Sequence, residues 1–282
     1  LINQTGYIAV MAVGMTLVLI ICQIDLSVGY VAGFLGACAA QLLLRGVQAG
    51  LAVLIILIAG AIIGLLQGLV IGRIGVPAFV TTLACEFIFR GLLTLVTEAS
   101  GTIPVTNEVF NNLSNGFLPE VFMIGQLHGL TIIVGLLAIV AIIVSQIRQR
   151  KELKKYNLEI VSMPIFVFKI VFFTALIAAL TYVLAAYNGL SWTIVIVALI
   201  AGVYAFVMNK TRTGRYIYGM GGNREAAALS GVNVRRVLIG VFTSMGCMAA
   251  LGGILYTSRL GAATPTAGNG FELDAIASGY IA

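Results

Sequence analysis

Charged side chains are scarce in this sequence: 16 Lys and Arg with 10 Asp and Glu make up 9% of 282 residues, against roughly 25% in a soluble domain. So little charge cannot cover a water-facing surface. That excludes a soluble globular protein and leaves an integral membrane protein that uses lipid as part of its solvent. Histidine is nearly absent: His128 stands alone, with no second His or Cys beside it to complete a metal site, and reads as a residue at the edge of a span. The four cysteines, Cys22, Cys38, Cys85 and Cys247, form no CxxC pair and read as small apolar residues in or beside apolar runs. The glycines of "GMGGN" have no GK[ST] after them and no strand before them, which excludes a phosphate-binding loop. The chain is therefore expected to hydrolyse no ATP itself, to carry no cofactor or metal, and to lack the residue clusters of a membrane enzyme. The net charge of +6 sits in short loops beside apolar runs, the pattern of membrane topology and not of nucleic-acid binding.

What is abundant is apolar sequence, at 60%. Runs near the ~20 residues needed to cross a bilayer fall at about 5–22, 28–44, 51–72, 76–97, 129–147, 165–186, 190–208 and 237–257, and another begins near 275. Lipid cannot satisfy backbone polar groups, so the runs are expected to be helices. The predicted fold is all-α: a polytopic transmembrane bundle of about eight complete spans plus the start of another, forming a single domain over 1–282. Residues 23–29 leave two readings, a loop between two spans or the break in one interrupted helix. The first residue is Leu1 and the last, Ala282, lies in an apolar run, so the sequence is expected to be a segment of a longer chain.

Orientation follows from Lys and Arg. The connection 148–164 holds Arg148, Arg150, Lys151, Lys154 and Lys155, and 209–236 holds Lys210, Arg212, Arg215, Arg224, Arg235 and Arg236; both are expected in the cytoplasm. The connection 98–128 carries Glu98, Glu108 and Glu120 with no Lys or Arg, which places it in the periplasm, and Arg73 inside keeps the alternation intact. Gly60, Gly64, Gly68 and Gly72 recur every fourth residue, giving one smooth face for close helix approach, and Gly246, Ala250 and Gly253 form a similar strip.

Inside the basic connection 209–236 lies "GGNREAAALSG", residues 221–231, a polar stretch between greasy ones. Asn223 is suited to cap a helix, Glu225 to sit in its first turn where the dipole favours an acid, and Gly231 to end it in a left-handed conformation. The predicted product is a helix of about two turns with Ala226, Ala227 and Ala228 giving a smooth surface.

The spacing Glu225-Ala226-Ala227, three residues, then Gly231 resembles the EAA-x-x-x-G pattern of the permease subunits of bacterial ABC importers. "TGRYIYGMGGNREAAALSGVNVRR", "AVMAVGMTLVLIICQIDLSVGYVAGF", "VPAFVTTLACEFIFRGL" and "TPTAGNGFELDAIA" are similar to the monosaccharide branch of that family and lie in the same order across nearly the whole sequence. The extra hairpin at 148–208, with "YNGLSWTIVIV", makes the chain most similar to the xylose or multiple-sugar permeases. Glu86 and Cys22-Gln23 depart from the family pattern. The resemblance implies a bacterial inner-membrane transport subunit, working as a homodimer, which passes a monosaccharide from a periplasmic sugar-binding protein to the cytoplasm. A separate ABC ATPase subunit drives it. The coupling surface for that partner is implied at Gly222, Asn223, Arg224, Glu225, Ala226, Ala227, Ser230 and Gly231.

Polar residues within spans are costly in lipid and usually face the interior, so they are the candidates for the substrate pathway. Asp25 and Ser27 lie at the helix interruption, where they either line the path or cap the next helix. Thr81, Thr82, Glu86 and Arg90 share one span, with Thr82, Glu86 and Arg90 along one face, and an intrahelical Glu86–Arg90 pair is expected to reduce the desolvation cost of both. They either line the path or pack. Asn188 and Trp192 are expected to anchor a hairpin turn at the interface. The rival reading is a secondary transporter or channel without ATP, for which only Asp25, Glu86, Arg90 and Lys169 are available as an ionisable relay.

Overall fold

The computed structural model describes residues 2–98, 101–120, 122–124, 127–155 and 162–281. Among them the apolar runs are helices: α1 (Ile2–Ile20), α2 (Val28–Leu44), α3 (Ala49–Leu69, continued by a π turn Val70–Ile74), α4 (Ala78–Thr97), α6 (Gly129–Lys155), α7 (Met163–Ala186), α8 (Trp192–Lys210) and α11 (Val234–Leu260). Short helices α5 (Glu108–Asn115), α9 (Arg212–Gly222), α10 (Arg224–Leu229) and α12 (Phe271–Ile281) lie between or after them. Seven of the described helices are long and apolar enough to cross a bilayer, and α2 is an apolar helix too short for that measure. The basic run Arg148–Lys155, expected as loop, continues α6 as helix, while 156–161 fall outside the described residues.

By its contacts the chain divides into two compact units, one of 1–116 with 192–282 and one of 117–191. The second unit is the α6–α7 hairpin. Helix α8 belongs with the first unit. Within the hairpin unit, β2 (Met123–Ile124) pairs antiparallel with β3 (Leu127–His128). His128, directly ahead of α6, is buried: its Nδ1 lies 3.0 Å from the Thr131 hydroxyl, and that hydroxyl accepts the backbone N–H of Leu190 at 3.0 Å.

The larger unit is built on α11. The two glycine strips read from the sequence meet there: a methyl group at Gly60 would strike the Gly246 carbonyl and Ala250, one at Gly64 the Phe242 carbonyl, and one at Gly68 the backbone of Ile239. With no hydrophobic drive between helices in lipid, such backbone approach is what van der Waals association requires. The α3 strip is thus occupied within the chain and is not available to a second copy.

A third strip escaped the sequence reading. Gly29, Gly33 and Gly36 on α2 lie against Gly268, Ala267 and Gly253, so the segment 261–270 descends along α2 before α12 begins. At the opposite end of this unit from α10, β1 (Ile103–Pro104) pairs with β4 (Ala262–Ala263), and α5 is fastened to the end of α11. Ser258 Oγ donates to the Phe110 carbonyl at 2.8 Å and accepts the Ser114 N–H at 3.0 Å, while Asn115 Nδ2 donates to the Ser258 carbonyl at 2.8 Å. Phe110 is fully buried beneath them. Phe110→Ala is expected to cost about 3–5 kcal/mol through the cavity it leaves, seen as a lower thermal transition of the purified protein.

Candidate functional site

Helix α10 has the caps its sequence calls for. Asn223 is extended (φ −155°, ψ 107°) and its side chain accepts the N–H of Ala226 at 2.9 Å, with Glu225 in the first turn. At the other end Gly231 takes φ +85°, its N–H reaching the Ala228 carbonyl and that of Val232 the Ala227 carbonyl, each at 3.0 Å. Those two bonds satisfy carbonyls that the helix end leaves free, and only a residue at home in left-handed space fits there. Ser230 Oγ donates to the Ala226 carbonyl at 2.8 Å. Ala227 is buried, whereas Arg224, Glu225 and Ala226 are exposed.

One residue here was missed. Leu229 is 90% exposed at the tip of α10. A bare leucine beside small and charged residues is a feature for a partner to cover, and the available signal was that it is the only large apolar residue in the stretch 221–231.

The end of α9, just ahead of α10, rests on α1. A methyl group at Gly221 would strike the Ile20 carbonyl, so a glycine is required for this approach, and the Cys22 thiol lies 3.7 Å from the Gly221 carbonyl. Cys22 itself has φ +55°, uncommon for a side chain without a local hydrogen-bonding group. Cys22→Gly is accordingly expected to be tolerated and Cys22→Val to lower the thermal transition. Beside this junction is a cavity of about 440 Å³ lined by Gln23, Ile24, Pro77, Phe79 and Arg224 among others.

The break between α1 and α2 resolves the two readings of residues 23–29: the chain turns back, and α2 starts part-way along the bundle. Asp25 Oδ1 accepts from the Ser27 N–H at 2.9 Å and from Ser27 Oγ at 2.7 Å, and Gln67 Nε2 donates to Ser27 Oγ at 2.7 Å. All three residues are buried. Asp25 therefore closes the turn that opens α2, and Gln67, overlooked in the sequence, ties it to α3. Gln67→Leu leaves the Ser27 hydroxyl short of a buried donor and is expected to cost about 1–3 kcal/mol, checked by thermal unfolding.

On α4 the expected face divides. Thr81 is buried and bonds back to the Pro77 carbonyl at 3.2 Å; Thr82 is fully buried, 3.5 Å from the Ile24 carbonyl. Glu86 is half-buried and Arg90 exposed. The predicted Glu86–Arg90 pair gives way to a different contact, the Arg90 guanidinium lying over the Tyr30 ring at 5.6 Å from its centre. The reason is that α2 packs on α4 and offers an aromatic face, an alternative partner for a guanidinium. Glu272, within a block quoted only for its resemblance, is buried near Gly29, and its Oε2 has no hydrogen-bond partner. An acidic residue opening an apolar run was the signal for it. Asn188 and Trp192 stand exposed at their turn.

Seven helices able to span a bilayer, a polar seam at the α1–α2 break and a short capped helix at one end define a multi-pass membrane protein. The chain belongs to the family described as the permease component of branched-chain amino acid transport systems, whose pattern matches residues 1–282. It is similar to the xylose transport system permease protein XylH of Haemophilus influenzae, at 32% identity over 285 residues, covering all of this chain and 73% of that protein. It is also similar to XylH of Escherichia coli K12, at 33% over 282 residues covering 100% and 70%, and to the E. coli ribose import permease protein RbsC, at 33% over 278 residues covering 99% and 66%. It is thus a multi-pass protein of the bacterial inner membrane. No solved structure matches it.

Proposed function

We propose that this chain is the membrane subunit of an ATP-driven importer and passes a monosaccharide, xylose or a close relative, from a periplasmic binding protein to the cytoplasm by alternating access. The observation that carries the reading is α10: a capped helix with exposed Glu225 and Leu229, following directly on α9, whose Gly221 packs on the end of α1. A separate ABC ATPase grips this helix from the cytoplasm. Closure of the ATPase on ATP moves α10, and the Gly221–Ile20 contact passes the displacement to the end of α1, next to the Asp25–Ser27–Gln67 knot. The xylose and ribose assignments of the relatives support a neutral sugar as cargo, which needs hydroxyl partners and no counter-charge.

The subunit works as a pair. With the α3 strip occupied, the exposed side of α4, where Phe87, Arg90, Gly91, Thr94 and Glu98 line a shallow groove, is the face for the second copy or the water-filled path between copies. A cation exposed on a spanning helix is costly against lipid. Thr94→Cys is expected to give an oxidative crosslink between two copies, and Leu54→Cys on the outer side of α3 none, read as dimer bands after denaturing electrophoresis.

The substrate is tested by growth of a transport-deficient cell supplied with this permease, its binding protein and its ATPase on xylose, ribose, galactose or leucine. Growth on a pentose supports the reading. Uptake that persists without the ATPase favours a secondary transporter or channel instead, and rescue by leucine alone moves the cargo to amino acids.

A further inference from the structure

A cleft of about 440 Å³ opens on the flank of the larger unit between α1, α8, α9 and α11. Its walls are hydrocarbon: Leu17, Val203, Val207, Ile217, Val237 and Val241. At its deeper part the Tyr204 and Ser244 hydroxyls are hydrogen-bonded to each other, so they offer little to a polar guest. Its mouth lies where α9 begins and α11 starts, and there Thr213, Tyr216 and Arg236 face it. Arg236 is exposed, and Lys210, Arg212, Arg215 and Arg235 crowd the same end, with Glu225 the only acid between 209 and 236.

An apolar slot with a cation at one end matches one chemistry above others. A sugar has too few polar partners in it. A second copy of the chain related by a two-fold axis would bring the same basic patch against itself. A phospholipid places its acyl chain in the slot and its phosphate at the membrane surface, where Arg236 stands; clusters of basic residues beside spanning helices favour anionic headgroups.

We propose that this cleft binds an anionic phospholipid, one acyl chain lying between α8 and α11 and the headgroup phosphate meeting Arg236 with the Thr213 and Tyr216 hydroxyls beside it. The leaflet is the one on the α9 side, cytoplasmic on the reading above; the site itself does not depend on that reading. Because α9 runs through Asn223 into α10, the lipid holds the base of the coupling helix against α8 and α11.

The full-length permease carrying Val203→Trp as a fluorescent reporter at the rim of the cleft, with Trp192→Phe and any other tryptophan likewise replaced, tests this in vesicles with the same lipid in both leaflets. Brominated phosphatidylglycerol and brominated phosphatidylcholine, each titrated into unbrominated phosphatidylcholine, quench the reporter on contact. Half-maximal quenching is expected at about fivefold lower mole fraction for the glycerol lipid, corresponding to about 1 kcal/mol for one Arg. Arg236→Gln should erase the difference and Arg236→Lys retain it. Gly240 lines the cleft and a methyl group there meets nothing within 4 Å, so the side chain of Gly240→Leu starts in open space and should weaken quenching by both lipids. Equal quenching by the two lipids in the parent, or a preference that survives Arg236→Gln, overturns the proposal. Neither outcome bears on sugar uptake, so failure here and failure of the transport reading are separately visible.

Discussion

Glu225→Arg and Leu229→Asp are each expected to reduce sugar-stimulated ATP turnover of the reconstituted permease–ATPase complex by more than tenfold, with the purified permease keeping its thermal transition. Both positions are exposed, so neither change disturbs internal packing. The effect arises at the partner. Leu229 offers the only large apolar side chain on α10, and an apolar anchor seated in a groove is the kind of residue whose loss costs about 2 kcal/mol or more in binding, roughly thirtyfold. Asp at that position adds an unpaired charge to a desolvated contact. At 225 the reversal replaces an acid that suits the positive end of the helix by a base that opposes it, and reverses the charge shown to the ATPase. Gly231→Pro tests the helix itself: a φ of +85° is closed to proline, and the N–H bonded to the Ala228 carbonyl disappears. Its turnover is expected to fall at least as far. Normal turnover in all three variants removes the coupling role from α10.

The second large effect is structural. Gly64→Leu is expected to prevent a folded permease from accumulating in the membrane, and Gly64→Ala to lower its thermal transition by an amount equivalent to about 2–3 kcal/mol. The side chain would meet the Phe242 carbonyl and the Gly246 N–H, both backbone, and backbone inside two packed helices cannot turn aside as a flexible side chain can. Gly50→Ala on the same helix meets nothing within 4 Å and should be neutral or slightly stabilising, since alanine is the better helix former. If both alanine variants unfold at the same temperature as the parent, α3 and α11 do not meet as described.

The contrast between these glycines explains what could be read in advance. A four-residue spacing reports a smooth helix face with no structure needed, so Gly60, Gly64 and Gly68 were visible, and the second strip at Gly246 and Ala250 supplied the partner. The α10 caps were visible because capping is local chemistry: Asn223 and Gly231 act within a few residues of themselves. Contacts set by tertiary packing were not visible. Arg90 finds Tyr30 instead of Glu86 because α2 lies beside α4, a fact no spacing along α4 contains. Gln67 was invisible as a partner of Ser27 for the same reason, being 40 residues away in sequence. The descent of 261–270 along α2 was hidden because the glycines that permit it, Gly29 and Gly33, lie on a different helix from the segment they receive. The division that sets 117–191 apart was not visible either, because apolar runs look alike and only packing separates α8 from α7.

The central claim is that α10 faces the cytoplasm and is held by an ATPase. It is tested most directly by a single cysteine at position 229 in a chain whose Cys22, Cys38, Cys85 and Cys247 are replaced by serine or alanine, co-expressed with the ATPase and treated with a short thiol-to-amine crosslinker and, separately, with a membrane-impermeant maleimide added to intact cells. The account predicts a crosslinked permease–ATPase product and no labelling until the cells are opened. Labelling of Leu229→Cys from outside intact cells, with no ATPase adduct, would contradict it.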